Sequence, residues 1–448
     1  MIRTKQRARR MTRMGSNHPY SGRYNRRLVF DLIRSGGGIS RRGLVERTGL
    51  KPQTMSNICK DLIDRSLVVE TIRQEGARGA PQKELRIRPD AGCSLGIHID
   101  RDGLLGLVCD LAGRVLARET ARASLDDPAD TVRAMAEMAT RLRGATPAPA
   151  WGVGVVMPTL QEADFEHAVG PPGWGAWNRF PVAEAIEAAC ALPAIIENDA
   201  TAAAVAELRA GRAMGLTHYV HIFAGHGLGA GIIDDGMPLQ GYWNNAGEIG
   251  LLTWPTEAAG AVSGIAPGAD GLAPTPFSPD ELAALLGRES RELAVPGCLE
   301  GLYEARDSIL MHWLDLNAKR LRLLVSLLEN ILDPQTILVG GHFPPVLIAS
   351  LIDRAYPLLP SVSARSGRDR PRLCAGALGP DASAVGAAML PVIAHGSPDF
   401  RRLSFMRGRS RTLDFERRFD RVAGAPTDAD PADADPADAD PADAEPLS

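Results

Sequence analysis

Ser40-Arg41-Arg42-Gly43-Leu44-Val45-Glu46-Arg47-Thr48-Gly49-Leu50-Lys51-Pro52-Gln53-Thr54-Met55-Ser56-Asn57-Ile58-Cys59-Lys60 decides how the N-terminal part of this chain folds. Ser40 is a good N-cap, Leu44 and Val45 give a short helix its apolar side, and Thr48-Gly49 stops it. Pro52 suits the first turn of a following helix, whose Met55, Ile58, Leu62 and Ile63 share one face. Upstream, Leu28, Val29, Leu32 and Ile33 predict an earlier helix over 24–33 that ends in Ser35-Gly36-Gly37-Gly38. Three short helices with a tight glycine turn between the second and third predict a helix-turn-helix. Beyond it, residues 67–72 and 83–87 alternate like strands around Gly76-Ala77-Arg78-Gly79-Ala80-Pro81, the pattern of a β-wing.

Charge points the same way. Residues 1–90 hold 21 Lys and Arg against 8 Asp and Glu, whereas the rest of the chain holds 29 against 46. So uneven a split under a net charge of only -4 predicts a module facing nucleic acid joined to an acidic one. The first two turns of the third helix would offer Gln53, Thr54, Ser56 and Asn57 to base edges, with Lys51 and Lys60 near phosphates. Gln53 and Asn57 suit bidentate pairing with adenine, and Arg78 beside Gly79 suits a narrow minor groove. The expected partner is a double-stranded DNA operator; a protein-interaction module is the alternative. Residues 1–17 read as a disordered basic arm, either touching phosphates through Arg7, Arg9 and Arg10 or serving as a leader only.

The chain of 448 residues is too long for one core. The predicted boundaries are 18–90 for the winged helix-turn-helix, 91–396 for a larger domain in two lobes, 397–426 for a C-terminal extension and 427–448 for a tail. That tail repeats Asp-Pro-Ala-Asp-Ala with eight acids and no bases, and is expected to be disordered. In the larger domain, strands are expected at 94–99, 104–110, 114–120 and 151–156, with a helix at 131–142. A second strand, loop and strand follow at 219–223 and 229–233, with a strand end at 338–341. Helices are expected at 199–211 and 307–332, and residues 254–280, rich in Gly, Pro and Ala, read as a loop. Two halves that each open strand, loop, strand predict a duplicated α/β architecture. Cys59, Cys93, Cys109, Cys190, Cys298 and Cys374 are scattered without a CxxC pair, no apolar run is long enough to cross a bilayer, and no secretory signal is read, so reduced thiols in a cytoplasmic protein are expected.

Within the larger domain five motifs follow in order: Leu95-Gly96-Ile97-His98-Ile99, Glu197-Asn198-Asp199-Ala200-Thr201-Ala202-Ala203 with Ala206-Glu207, Gly225-His226-Gly227-Leu228-Gly229, Ala246-Gly247-Glu248-Ile249-Gly250, and Gly297-Cys298-Leu299-Glu300. Their order resembles the ROK family of repressors and sugar kinases over roughly His18 to Ile393. The resemblance implies an α/β fold of the two-lobed, actin-like ATPase (ribonuclease H-like) type, with a sugar in the cleft. It implies that Asn198, Asp199, Glu248 and Glu300 contact sugar hydroxyls, Asp199 standing where the kinases keep their base. Trp174, in Gly173-Trp174, is expected either to stack on a sugar or to lie in the core; for Asn198 and Asp199 the alternative is helix capping.

Departures from the family pattern limit what is implied. The kinase phosphate loop Asp-x-Gly-Gly-Thr is replaced by His98-Ile99-Asp100-Arg101-Asp102, so no catalytic residue and no nucleotide cofactor are expected. Glu-x-Gly-His becomes Glu248-Ile249-Gly250-Leu251, and the family's zinc cysteines are reduced to Cys298, with Arg291 and Leu293 at two of the positions. One cysteine cannot hold a structural zinc ion, so no metal is expected. The resemblance implies a homodimer or higher oligomer that represses carbohydrate uptake or catabolism genes, with a sugar or sugar derivative as effector. A sugar kinase with an appended DNA-binding domain, and a regulator with no sugar ligand, are the alternatives.

Overall fold

The computed structural model describes residues 22–73, 82–101, 103–123, 125–158, 160–161, 168–169, 174–252 and 275–398. The predicted arm, the extension beyond residue 398, the acidic tail and the wing tip with Arg78 lie outside these residues.

The chain begins with α1 (Gly22–Ser35), α2 (Arg41–Thr48) and α3 (Pro52–Asp64), followed by β1 (Val68–Arg73) and β2 (Gln82–Ile87). Local chemistry sets these boundaries. The Ser40 hydroxyl accepts from the Gly43 amide at 3.1 Å, and Gly49, at φ 67°, takes the left-handed conformation that closes α2. β1 and β2 pair antiparallel from Val68 opposite Ile87 to Arg73 opposite Gln82, and Ile39 adds a bridge to Leu85. Leu28, Val29, Ile33, Leu44, Met55, Cys59, Leu62 and Leu85 are buried between these elements.

The first lobe holds β3 (Cys93–Asp100), β4 (Gly103–Asp110), β5 (Val115–Ala121), α4 (Pro128–Arg143), β6 (Ala150–Met157), β7 (Leu160–Gln161), β8 (Ala168–Val169), α5 (Val182–Cys190) and β9 (Ala194–Asn198). Then come α6 (Asp199–Ala210), β10 (Tyr219–Ala224), β11 (Leu228–Asp234), β12 (Met237–Pro238), α7 (Pro279–Leu286), α8 (Ser290–Leu293), α9 (Cys298–Glu304), α10 (Ser308–Leu332), β13 (Ile337–Gly341), α11 (Pro345–Ala355), β14 (Leu373–Ala375) and α12 (Ala382–Gly396). The two five-stranded sheets run β5-β4-β3-β6-β9 and β12-β11-β10-β13-β14. Each opens with an antiparallel pair and continues parallel from its first strand, so the duplication read from the sequence holds at the level of strand order. The expected loop over 254–280 ends early: the Ser278 hydroxyl accepts from the Glu281 amide at 3.1 Å and starts α7, while 254–274 lie outside the described residues. Among the described residues no helix is long and apolar enough to cross a membrane.

Glycines allow the layers to touch. A Cβ on Gly96 or Gly154 would lie 2.1 Å from the Ala384 carbonyl oxygen or 1.9 Å from that of Ala387, so α12 lies directly on the first sheet. A Cβ on Gly231 would lie 2.3 Å from the Ala200 oxygen, which places α6 on the second sheet, and one on Gly386 would lie 1.9 Å from the Ala202 oxygen. Sheet, α12, α6 and sheet therefore stack with backbone against backbone.

The N-terminal unit is fastened to the far end of this stack. The Arg27 guanidinium donates to the Ala394 and His395 carbonyls at the end of α12, and Phe30 stacks on Trp151 with ring centroids 5.8 Å apart. The Asp31 carboxylate, 1% exposed, meets Arg34 at 2.9 Å and Arg209 of α6 at 3.4 Å. Gly386→Ala is expected to lower the melting temperature of the chain, since overpacking costs about 1–3 kcal/mol. Thermal unfolding at unchanged temperature would overturn the backbone contact.

Candidate functional site

α3 turns Met55, Cys59 and Leu62 inward. Its outer surface therefore carries Lys51, Gln53, Asn57 and Lys60, all exposed, with Thr54 and Ser56 half-buried at the margin. The Gln53 amide donates to the Asn57 side-chain oxygen at 3.2 Å, one turn apart. Both amides lie on the protein's outside, joined to each other by that bond. Five of the seven expected DNA contacts thus share one short helix and Lys51 is its N-cap residue, while Arg78 lies outside the described residues.

The second site lies between the lobes, at the end of the stack opposite the N-terminal unit. Asn198 ends β9 and caps α6, its side-chain oxygen accepting from the Ala200 amide at 2.9 Å and the Thr201 amide at 3.2 Å. That oxygen caps the helix, as the capping alternative has it. Asp199, next in the chain, accepts from the Ala200 amide at 2.8 Å, while its own carbonyl holds the Ser383 hydroxyl at 3.0 Å at the start of α12. Burial, then the Asp100 carboxylate, then Glu248 push its carboxyl up to about 7, against the pull of the Ala200 amide. Burial pushes Glu248, in the loop after β12, up to about 7 as well.

Two other expected ligand contacts separate from this pair. Trp174 is 1% exposed and tilted against Trp177 at 5.9 Å in the core of the first lobe, so it is a core tryptophan and has no ring face for a sugar. Glu300 is half-buried in the first turn of α9; among the described residues no hydrogen bond or ion pair ties it to Asp199 or Glu248.

What the sequence did not announce is a cluster of imidazoles. His98 and Asp100 end β3, His226 sits in the loop between β10 and β11, and His342 follows β13. Asp100 Oδ2 lies 3.1 Å from His342 Nδ1 and 3.8 Å from His226 Nε2; His226 Nδ1 faces Asp280 Oδ1 at 3.7 Å. Burial raises the Asp100 carboxyl, but His342, His226 and His98 outweigh it and hold it below its ordinary value. Burial pushes His98 down to about 4, so its ring is neutral near pH 7. Asp280 is fixed by the Ser290 hydroxyl and by Arg101 at 2.8 Å, and α7 beneath it is anchored through Glu281, which accepts from Trp313 at 2.8 Å and Asn317 at 3.0 Å and pairs with Arg320. Asp100 and Arg101, which replace the two glycines of a phosphate loop, are thus both engaged across the cleft. The expectation of no metal rested on the lost cysteines and does not extend to this group, because ligand atoms of His98, Asp100 and His342 lie within 4.8 Å of one another. Its signal in the sequence was a histidine beside glycine in both Gly225-His226-Gly227 and Gly341-His342.

The raised carboxyls at Asp199 and Glu248 fix a sign. Between about pH 4 and 7 the folded chain keeps protons that the unfolded chain has released, so these groups make stability fall as pH rises through that window. Asp199→Asn or Glu248→Gln is expected to flatten that fall, leaving each variant more stable relative to the parent at about pH 8 than at about pH 5. Melting temperatures measured at both values check this; a difference independent of pH would refute it.

The geometry agrees with what the chain is similar to. The ROK family pattern matches residues 94–392. Uncharacterized protein y4fQ of Sinorhizobium fredii is 26% identical over 373 residues, 82% of this chain and 90% of that protein. A xylose repressor of Caldicellulosiruptor bescii is 26% identical over 241 residues, 53% of this chain, and the match spans only 60% of that repressor's length. A solved ROK family transcriptional regulator, described as a homologue of the Escherichia coli protein MLC, superposes with a TM-score of 0.63 at 22% identity, covering 86% of this chain and 99% of that one. With two lobes of matching strand order and a family pattern spanning both, the chain belongs to the ROK family and carries its actin-like, sugar-kinase type of α/β fold.

Proposed function

We infer that this chain is a DNA-binding transcriptional regulator, a repressor of carbohydrate uptake or catabolism genes whose DNA affinity responds to a sugar or sugar derivative. One observation carries the reading: α6 starts at Asp199 in the cleft, α12 is bonded to Asp199 at its own first turn, and both helices end on α1. At one end the Ser383 hydroxyl holds the Asp199 carbonyl; at the other Arg209 meets Asp31, and Arg27 grips the last carbonyls of α12. A ligand that moves Asp199 therefore pushes on the helix that supports α2 and α3. The three helices and the β1-β2 hairpin support a winged helix-turn-helix, with the polar face of α3 as its reading surface. Similarity to a protein named xylose repressor supports the sugar response.

Two such units must meet half-sites about 34 Å apart, or a multiple of that, on a palindromic operator, so a homodimer formed through the larger domain is part of the reading. The kinase reading requires a phosphate cradle, and the Arg101 and Asp100 side chains engaged across the cleft favour binding without phosphoryl transfer. ATP-dependent phosphorylation of any sugar in a broad panel, abolished by Asp199→Asn, would overturn that part.

The full-length chain is expected to bind DNA from its own upstream region with a preference for sequence and a strong dependence on salt. Gln53→Ala and Asn57→Ala should each cost about 1–3 kcal/mol of discrimination at one operator position. Lys60→Ala should weaken binding to all sequences and reduce the salt slope by about 1. Fluorescence anisotropy at two salt concentrations reads these values, and binding that ignores both salt and sequence would sink the regulator reading. For the response, xylose and other aldoses would be screened by thermal shift. A sugar that stabilises the parent but not Glu248→Gln is expected to change operator affinity, and Arg209→Met should keep DNA binding while losing that change. Retention of the full response in Arg209→Met would refute coupling through Asp31.

A further inference from the structure

Asp100 and the three imidazoles that crowd it come from both lobes, and the regulator reading gives the imidazoles no role. His98 and Asp100 lie at the end of β3 in the first lobe; His226 and His342 belong to loops of the second. Ligand atoms of His98, Asp100 and His342 fall within 4.8 Å of one another. Around a tetrahedral ion with bonds of 2.0–2.1 Å, ligand atoms sit about 3.4 Å apart. His342 Nδ1 is already 3.1 Å from Asp100 Oδ2, and His226 Nε2 is 3.8 Å from the same oxygen. These two separations bracket that spacing, and the others among His98, Asp100 and His342 do not exceed 4.8 Å.

Two further observations point to a ligand. His98 is 3% exposed, and its Nε2 is buried with no hydrogen-bond partner in the chain, although buried ring nitrogens are normally paired. Behind His226, Asp280 stands 3.7 Å from Nδ1 and is itself held by Ser290 and Arg101. A carboxylate at the back of an imidazole orients the ring and leaves the other nitrogen to a metal. The donor set decides the class of ion: imidazoles with a single carboxylate favour zinc and its late transition-metal neighbours, whereas magnesium and calcium require mainly oxygen.

We propose that His98, Asp100 and His342, completed by His226, bind one divalent transition-metal ion that ties the two lobes together across the cleft. None of these residues corresponds to the cysteine positions Arg291, Leu293 and Cys298, so the site differs from the one whose loss was read in the sequence. It also stands independently of DNA binding and of any sugar.

The test uses the untagged, metal-depleted full-length chain. Zinc ion alone is titrated by calorimetry with a competing chelator, and cobalt ion by its visible absorption. One equivalent of zinc is expected to bind, cobalt to show the intense bands of a tetrahedral site, and magnesium ion to give no saturable heat. His342→Gln and Asp100→Asn should each weaken zinc binding at least tenfold and erase the cobalt bands, while His218→Gln, an exposed histidine beside Asp234, should leave both unchanged. If His342→Gln melts early without metal, Asp100→Asn and His226→Gln carry the same expectation. Absence of saturable zinc binding, or equal affinity in the folded cluster variants and the parent, overturns the proposal.

Discussion

Backbone contact between α6 and α12 at Gly386 is the constraint on which the remaining geometry rests. A side chain at that position would occupy the Ala202 carbonyl, and side chains at Gly96, Gly154 and Gly231 would force α12 and α6 off their sheets. Because all four are absent, the layers are held at backbone distance and a shift in one must be met by the next. The ends of β3 and β13 are thereby brought near enough for His98 and His342 to lie with ring centroids 5.5 Å apart.

The same contact gives both helices two working ends. At the cleft, Asp199 starts α6 and its carbonyl receives Ser383 of α12; at the other end, Asp31 and Arg27 of α1 hold Arg209 and the final carbonyls of α12. Asp31, Arg34 and Arg209 form a buried group of one anion and two cations, and losing one partner from such a group leaves charge exposed to a poor solvent. A contact of that kind tolerates few geometries. It suits a joint that transmits a displacement better than a loose surface patch would, and Phe30, next to Asp31 in the chain, stacks on Trp151 of the first lobe.

Legibility in the sequence followed the range of the physics. Ser40, Gly49 and Pro52 act on their immediate neighbours, so α2 and α3 were readable to within a residue or two. The paired strand openings were readable for the same reason, since each is an apolar run closed by its own turn. Asn198 shows the limit of a local signal: capping and sugar binding favour the same residue at the same place, and only the folded chain shows the two amides that its oxygen caps. Trp174 was ambiguous because a tryptophan after glycine serves equally as a platform or as core, and its burial settled the matter. The imidazole cluster left only a faint local trace, the histidines beside glycine, because His98, His226 and His342 come together through sheet order.

Electrostatics separate the two ends of the cleft. Around Asp100 and Asp280, imidazoles and Arg101 hold the carboxyls below their ordinary values, whereas burial raises both Asp199 and Glu248, with the Asp100 and Glu248 carboxylates adding to the effect on Asp199. Carboxyls balanced near neutral pH both donate and accept hydrogen bonds, which fits an uncharged polyhydroxyl ligand better than a phosphate. Replacing two glycines by Asp100 and Arg101 explains how that division arose: Arg101 pairs with Asp280 and Asp100 gathers the histidines, so the positions that cradle phosphate in a kinase are spent on holding the lobes to each other.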